Sequence, residues 1–324
     1  MLRIVLVLFL ATLAFAPMAV AQTKKPPLPP GRDPGGIAIA LLTTGIDYTS
    51  ASVARGLARD GEGELIGFDL VDGDNRPFGD NRAQTRPHWG GEGTTLAINI
   101  LDPTIGARLV PVRVDPRDPT SLARAVAFIA RTPARIVAVP MWGPRKEDWQ
   151  PFRQAVEHFR QLLFVVAAGD DGKDLDTASA YPAAFALPNV LVVTAASTVA
   201  NRVPSTQILV TANWGGNTVD AVALADNSAL ATAVAAKAAA TMSPQSSSLN
   251  GAELKLRLIQ ASLSHRQGET PPRTRSLAVL APTVVMRVQP IRDPSARILD
   301  KARIPERLEE PDQRDSRPRD GKAR

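Results

Sequence analysis

The chain has no cysteine among its 324 residues, which removes disulfides, cysteine-ligated zinc and a thiol nucleophile together. Stability must therefore come from packing. Histidine is nearly as scarce, with three in the chain. Aromatic residues make up only 5%, too few for the stacking surfaces that a nucleic-acid binder uses. The basic balance, +6 at neutral pH with a pI near 10.0, does not reverse this. From Arg287 onward the tail alone carries Lys/Arg in excess over Asp/Glu, so much of the charge lies outside any expected core. No nucleic-acid partner is expected.

What is present begins with a leader. Arg3 supplies a positive start, residues 4–16 an apolar stretch, and Ala19-Val20-Ala21 a small-residue cleavage pattern before Gln22. The apolar stretch is shorter than the ~20 residues of a spanning helix. Residues 1–21 are thus expected to be an export signal, with a secreted or periplasmic product and no stable membrane anchor after cleavage. Residues 22–35 include KKPPLPPGRDP, a Pro-rich linker expected to stay extended.

Folding is expected over 36–286. With 44% hydrophobic residues the chain can bury a full core. Short apolar runs fall at 37–42, 65–71, 107–114, 135–139, 163–167, 190–194 and 219–224. Helical patterns separate most of them, at 50–59, 92–101, 120–131 and 147–159, with a further amphipathic stretch at 249–262. This alternation predicts an α/β domain with a mainly parallel sheet and helices on both faces. From 287 to 324 the chain turns to Pro, Arg, Asp and Glu, the composition of a charged, disordered tail.

Residues 225–242, ADNSALATAVAAKAAATM, predict a helix apolar on nearly every side and buried in the middle of the domain. Asn227 or Ser228 is placed to cap it. In a parallel sheet, ligands gather at the carboxyl ends of the strands, and the segments there carry a resemblance. IALLTTGIDY at 39–48, GEGTTLAINI at 91–100, FVVAAGDDG at 164–172, YPAAFALPNVLVVTAAS at 181–197 and the serine segment follow one another in order. Together they resemble the active-site blocks of subtilisin-like serine peptidases across about 36–262. The resemblance implies a three-layer subtilisin-like fold with a twisted sheet.

Residue by residue the resemblance also exposes substitutions. The family's Asp position holds Thr43, its His position Glu92 and its oxyanion-binding Asn position Asp170; Ser228 alone agrees. An unperturbed carboxylate, with pKa about 4.3, is a poor base for a serine hydroxyl at neutral pH. In subtilisin, removing the triad histidine costs about a million-fold, and one lost oxyanion donor costs roughly a hundred- to a thousand-fold. The resemblance therefore implies an inactive or strongly impaired serine peptidase homologue. No propeptide-sized segment separates the leader from the first run, in keeping with a protein that has no activity to restrain.

The alternative is an acid-acting endopeptidase. Ser228, Glu92 and Asp170 are the residue types that the related sedolisins place in those roles, although a second acid one helical turn beyond the Glu is replaced by Leu96. His88 precedes Glu92 in a loop and is expected to be exposed; His158 and His265 are expected to pack or face water. Asp69, Asp72, Asp74 and Asp80 form an acidic cluster whose spacing fits no calcium loop, so solvated turn carboxylates are expected, with no metal and no cofactor. The family binds peptide as an added strand beside the segment after the fourth run. Met141, Trp142 and Gly143 occupy it here and are the candidate contacts for a peptide or protein ligand.

Overall fold

The computed structural model describes residues 25–79, 92–102, 105–199, 205–242 and 249–264. The leader, Asp80, His88, His265 and the tail lie outside the described residues. Among the described residues eight strands form one sheet: β1 (Ile37–Thr43), β2 (Phe68–Asp69), β3 (Ala107–Arg113), β4 (Ile136–Val139), β5 (Leu163–Ala167), β6 (Val190–Val199), β7 (Ser205–Ile208) and β8 (Ala221–Leu224). The path runs β2-β3-β1-β4-β5-β6-β7, with β8 also on β6. Every pairing is parallel except β6 with β7.

Strand periodicity divides the core. Ile39, Leu41, Ile136, Ala138, Leu163 and Val165 face one layer of helices; Ala38, Ala40, Leu42, Val137, Phe164 and Val166 face the other. On the first side lie α1 (Ala51–Ala54), α2 (Gly93–Ile100), α5 (Ser228–Met242) and α6 (Gly251–Ser264). On the second lie α3 (Pro119–Ile129) and α4 (Gln150–His158). This is the expected three-layer α/β arrangement. Full burial of each Leu or Ile is worth roughly 1.5–3 kcal/mol, which is how an uncrosslinked chain holds its sheet.

Helix α5 explains its own composition. Eleven of its 15 residues are buried, and it packs against α2, α6 and strands β4, β5, β6 and β8. Alanine keeps helix propensity high while letting the axis come close to the sheet. It starts at the carboxyl end of the strands, with Ser228 as its first residue, four residues after the last of β8.

Three local expectations are corrected. The helix at 50–59 is one turn long, because Leu57 and Ala58 pair instead with Leu109 of β3. The strand at 65–71 is reduced to Phe68–Asp69: the Asp69 carboxylate accepts the amides of Val71 and Asp72 and turns the chain. Strand β7, reading STQI, carried no apolar run and was not predicted; it forms by pairing antiparallel with the far half of β6.

Candidate active site

Thr43 ends β1, Glu92 precedes α2, Gly169 and Asp170 follow β5, and Ser228 opens α5, so topology brings all the predicted positions to one edge of the sheet. The side chains do not assemble into one hydrogen-bonded unit. Ser228 is fully buried, and its single hydroxyl proton goes to the Gly169 carbonyl at 2.7 Å. Its backbone N–H is donated to the Asp170 carboxylate, 3.0 Å from Oδ1 and 3.2 Å from Oδ2. Glu92 is exposed and makes no cap bond to its own helix; its Oε2 accepts from Asn227 Nδ2 at 3.4 Å.

Two residues compensate the first turn of α5. Asn227 Oδ1 accepts the Leu230 N–H at 2.7 Å, so Asn227 supplies the N-cap. Asp170 takes the Ser228 N–H, placing a carboxylate at the positive end of the helix dipole. The chemical consequence is direct: the amide of a serine nucleophile ordinarily helps bind an oxyanion, and here it is already engaged by a carboxylate. Thr43, also buried, accepts the Gly45 N–H on Oγ1 at 3.1 Å, which shapes the turn after β1.

Asn213 was not singled out from the sequence, yet it shapes the loop bearing Asp170. Its Oδ1 accepts the amides of Asp171 and Lys173 at 3.0 and 2.9 Å, and its Nδ2 donates to the Ala168 carbonyl at 2.8 Å. Gly169 has φ +103, and a Cβ there would fall 2.5 Å from Asn213 Nδ2 and 2.7 Å from Trp142 Nε1. Glycine is needed for both the turn and this close approach. An asparagine at a loop end gives no sequence signal of such a role.

The candidate ligand segment is mostly turned inward. Met141 and Trp142 are buried, the latter donating from Nε1 to Asp171 Oδ2 at 3.3 Å. The Gly143 N–H and carbonyl are both bonded to Tyr181, at 2.9 and 2.8 Å. A peptide strand therefore finds this residue's backbone pair taken. Beside the segment lies a cleft of about 500 Å³, lined by Trp142, Gly143, Arg145, Trp149, Asp171 and Lys173 among others. Neither Ser228 nor Glu92 lines it.

The acidic turn departs from expectation. Asp69, Asp72 and Asp74 surround the Lys25 ammonium at 2.5, 2.8 and 3.0 Å. Arg113 binds Asp69 and Asp72 at 2.8 and 2.7 Å. Lys25 and Arg113 hold the Asp72 carboxyl below the ordinary aspartate value, with burial opposing them. The carboxylates are thus partnered by cations of the chain itself, and among the described residues no group of three or more His, Asp or Glu side chains is placed to hold a metal ion.

No family model and no curated protein matches the chain. Solved structures do. A cold-adapted subtilisin-like serine proteinase aligns at TM-score 0.51 and 16% identity, covering 79% of this chain and 89% of that one. A subtilase cytotoxin structure aligns at TM-score 0.54 and 20% identity, covering 78% and 87%. The fold is subtilisin-like. A lanthipeptide protease adds a third example, at TM-score 0.53 and 14% identity, covering 78% of this chain and 86% of that chain. The subtilisin-like fold thus spans most of the chain, as the ordered blocks implied. No helix among the described residues is long and apolar enough to cross a membrane.

Proposed function

We infer that the chain is an exported, subtilisin-like serine peptidase homologue whose hydrolytic site is closed, leaving a surface that binds a peptide or protein segment. One observation carries this reading: Ser228 gives its hydroxyl proton to the Gly169 carbonyl and its amide to Asp170. A nucleophile needs its proton facing a base and an amide free for the oxyanion; Ser228 has neither. Export is supported by the leader pattern at 1–21. Ligand binding is supported by the cleft beside Trp142, where two indoles and the side chains of Arg145 and Lys173 offer apolar and charged contacts.

The test is hydrolysis of an unstructured protein at about pH 7 and about pH 3.5, on either side of the ordinary glutamate pKa. No cleavage is expected at either pH. Acid cleavage that disappears in both Ser228→Ala and Glu92→Ala would replace this reading with the acid-acting endopeptidase. In that case Asp170 would have to protonate and Glu92 would have to leave Asn227 for Ser228.

A further inference from the structure

The Pro-rich segment expected to be an extended linker is held against the domain over residues 25–33, and the manner of its binding is specific. Prolines and the residues preceding them make 25–30 extended, and its four prolines offer no N–H, so the segment binds mainly through carbonyls and side chains. The domain supplies matching donors. The Tyr48 hydroxyl donates to the Pro26 carbonyl at 2.7 Å, and the Arg59 guanidinium donates to the Pro29 carbonyl at 2.6 Å. These carbonyls are three residues apart, one turn of a polyproline II helix. The exposure pattern has the same period: Pro27 and Pro30 are exposed, while Pro26, Leu28 and Pro29 are half-buried.

The groove is built from rigid parts. Tyr48 and Arg59 are buried residues; Tyr48 stacks edge-on against Phe78, and Arg59 is also fixed by the Gly63 carbonyl at 2.7 Å. Leu28 packs on the core between the two donors. The ends are clamped by opposite charge. Lys25 enters the pocket of Asp69, Asp72 and Asp74, and Asp33 accepts from Arg108 at 2.7 Å and from the Arg59 amide at 2.8 Å. That polarity sets the direction in which the segment lies. The segment ends at Gly35 and Gly36, with φ +71 and +82, where a Cβ on Gly36 would fall 1.7 Å from the Gly106 carbonyl. The glycine pair lets the chain turn from the groove into β1.

We propose that the face formed by Tyr48, Arg59 and the Asp69–Asp74 turn is a docking groove for proline-rich peptides, occupied by residues 25–33 as a tethered ligand. The pattern it takes is a basic residue, a Pro-Pro pair, an apolar residue, a second Pro-Pro pair and, after a short spacer, an acidic residue. Tethering keeps the groove filled even when the free peptide binds weakly. Release of the segment exposes a surface for the same motif on another chain, a second copy included.

The experiment uses the full chain with Lys25→Glu, which sets a carboxylate against three others, and a fluorescent peptide of residues 24–34. The expected result is that trypsin cuts after Arg32 about tenfold faster in the variant than in wild type, as local opening predicts. The variant is also expected to bind the peptide at least about tenfold more tightly than wild type, whose groove is filled. A peptide with its lysines changed to glutamate is expected not to bind. Equal peptide binding by wild type and variant, or fast cutting after Arg32 without any peptide binding, overturns the proposal. Should Lys25→Glu not fold by near-ultraviolet circular dichroism, Lys25→Gln carries the same two measurements with the same outcomes.

Discussion

Asp69 and Asp170 both turn a carboxylate toward the interior, but the chain satisfies them by different means. Asp69 is fully buried and meets two cations, Lys25 and Arg113. Asp170 is half-buried and takes a backbone amide at the start of α5. The first arrangement is a charge cluster in which Asp69 is the fully buried acid, so its loss takes from Lys25 and Arg113 the partner that water cannot replace. The second is a helix-terminal contact, in which a carboxylate is welcome and replaceable. A carboxylate can thus stand at the head of α5, because the helix amide itself supplies a donor to it.

The sharpest way to break that contrast is to neutralise each acid. Asp69→Asn should destabilise the domain by about 3 kcal/mol, because Lys25 and Arg113 lose a buried partner; urea unfolding followed by tryptophan fluorescence reads this. A loss below about 1 kcal/mol would place Asp69 among ordinary surface pairs. Next in size is Asn213→Ala, which strands the Asp171 and Lys173 amides and the Ala168 carbonyl. It should cost about 2 kcal/mol by the same measurement, and it tests whether the loop under Asp170 is held from below.

Acid should act on the charge-paired regions first. The Asp72 carboxyl lies below its ordinary value of 3.8, held there mainly by Lys25. Asp176 is also lowered: burial pushes it up, but the amides of Asn217 and Thr218 and the Thr218 hydroxyl outweigh burial. A folded-state pKa below the unfolded one contributes stability above the unfolded value, and that contribution is lost as pH falls through the folded value. The urea midpoint should therefore stay level from about pH 7 to about pH 5 and fall below about pH 4, less steeply in Asp72→Asn. The smallest effect is expected at Asp170→Asn, about 0.5 kcal/mol, since the amide oxygen still accepts from Ser228. A loss there as large as at Asp69 would erase the contrast.

The parallel sheet was legible because buried strands announce themselves: LFVVA at β5 is apolar at every position and is buried at every position. The carboxyl-end positions of Thr43, Glu92, Asp170 and Ser228 were legible too, since block order follows strand order. What the sequence did not disclose were choices among hydrogen-bond partners. Asn227 and Ser228 are equally good caps by type, and only the fold decides that Asn227 caps while Ser228 bonds to Gly169. Lys25 and Asp69 lie 44 residues apart, so no local pattern foretold that the supposed linker would fill the acidic turn. Gly143 likewise looked like a free edge until Tyr181 took both of its backbone groups.

Ser228 is expected to be unreactive, and labelling with a fluorophosphonate followed by intact mass measures that directly. Wild type is expected to show no adduct after prolonged exposure at about pH 7 or about pH 3.5. An adduct on Ser228 at either pH, absent from Ser228→Ala, would show that the hydroxyl can leave the Gly169 carbonyl for a base, and would contradict the closed site.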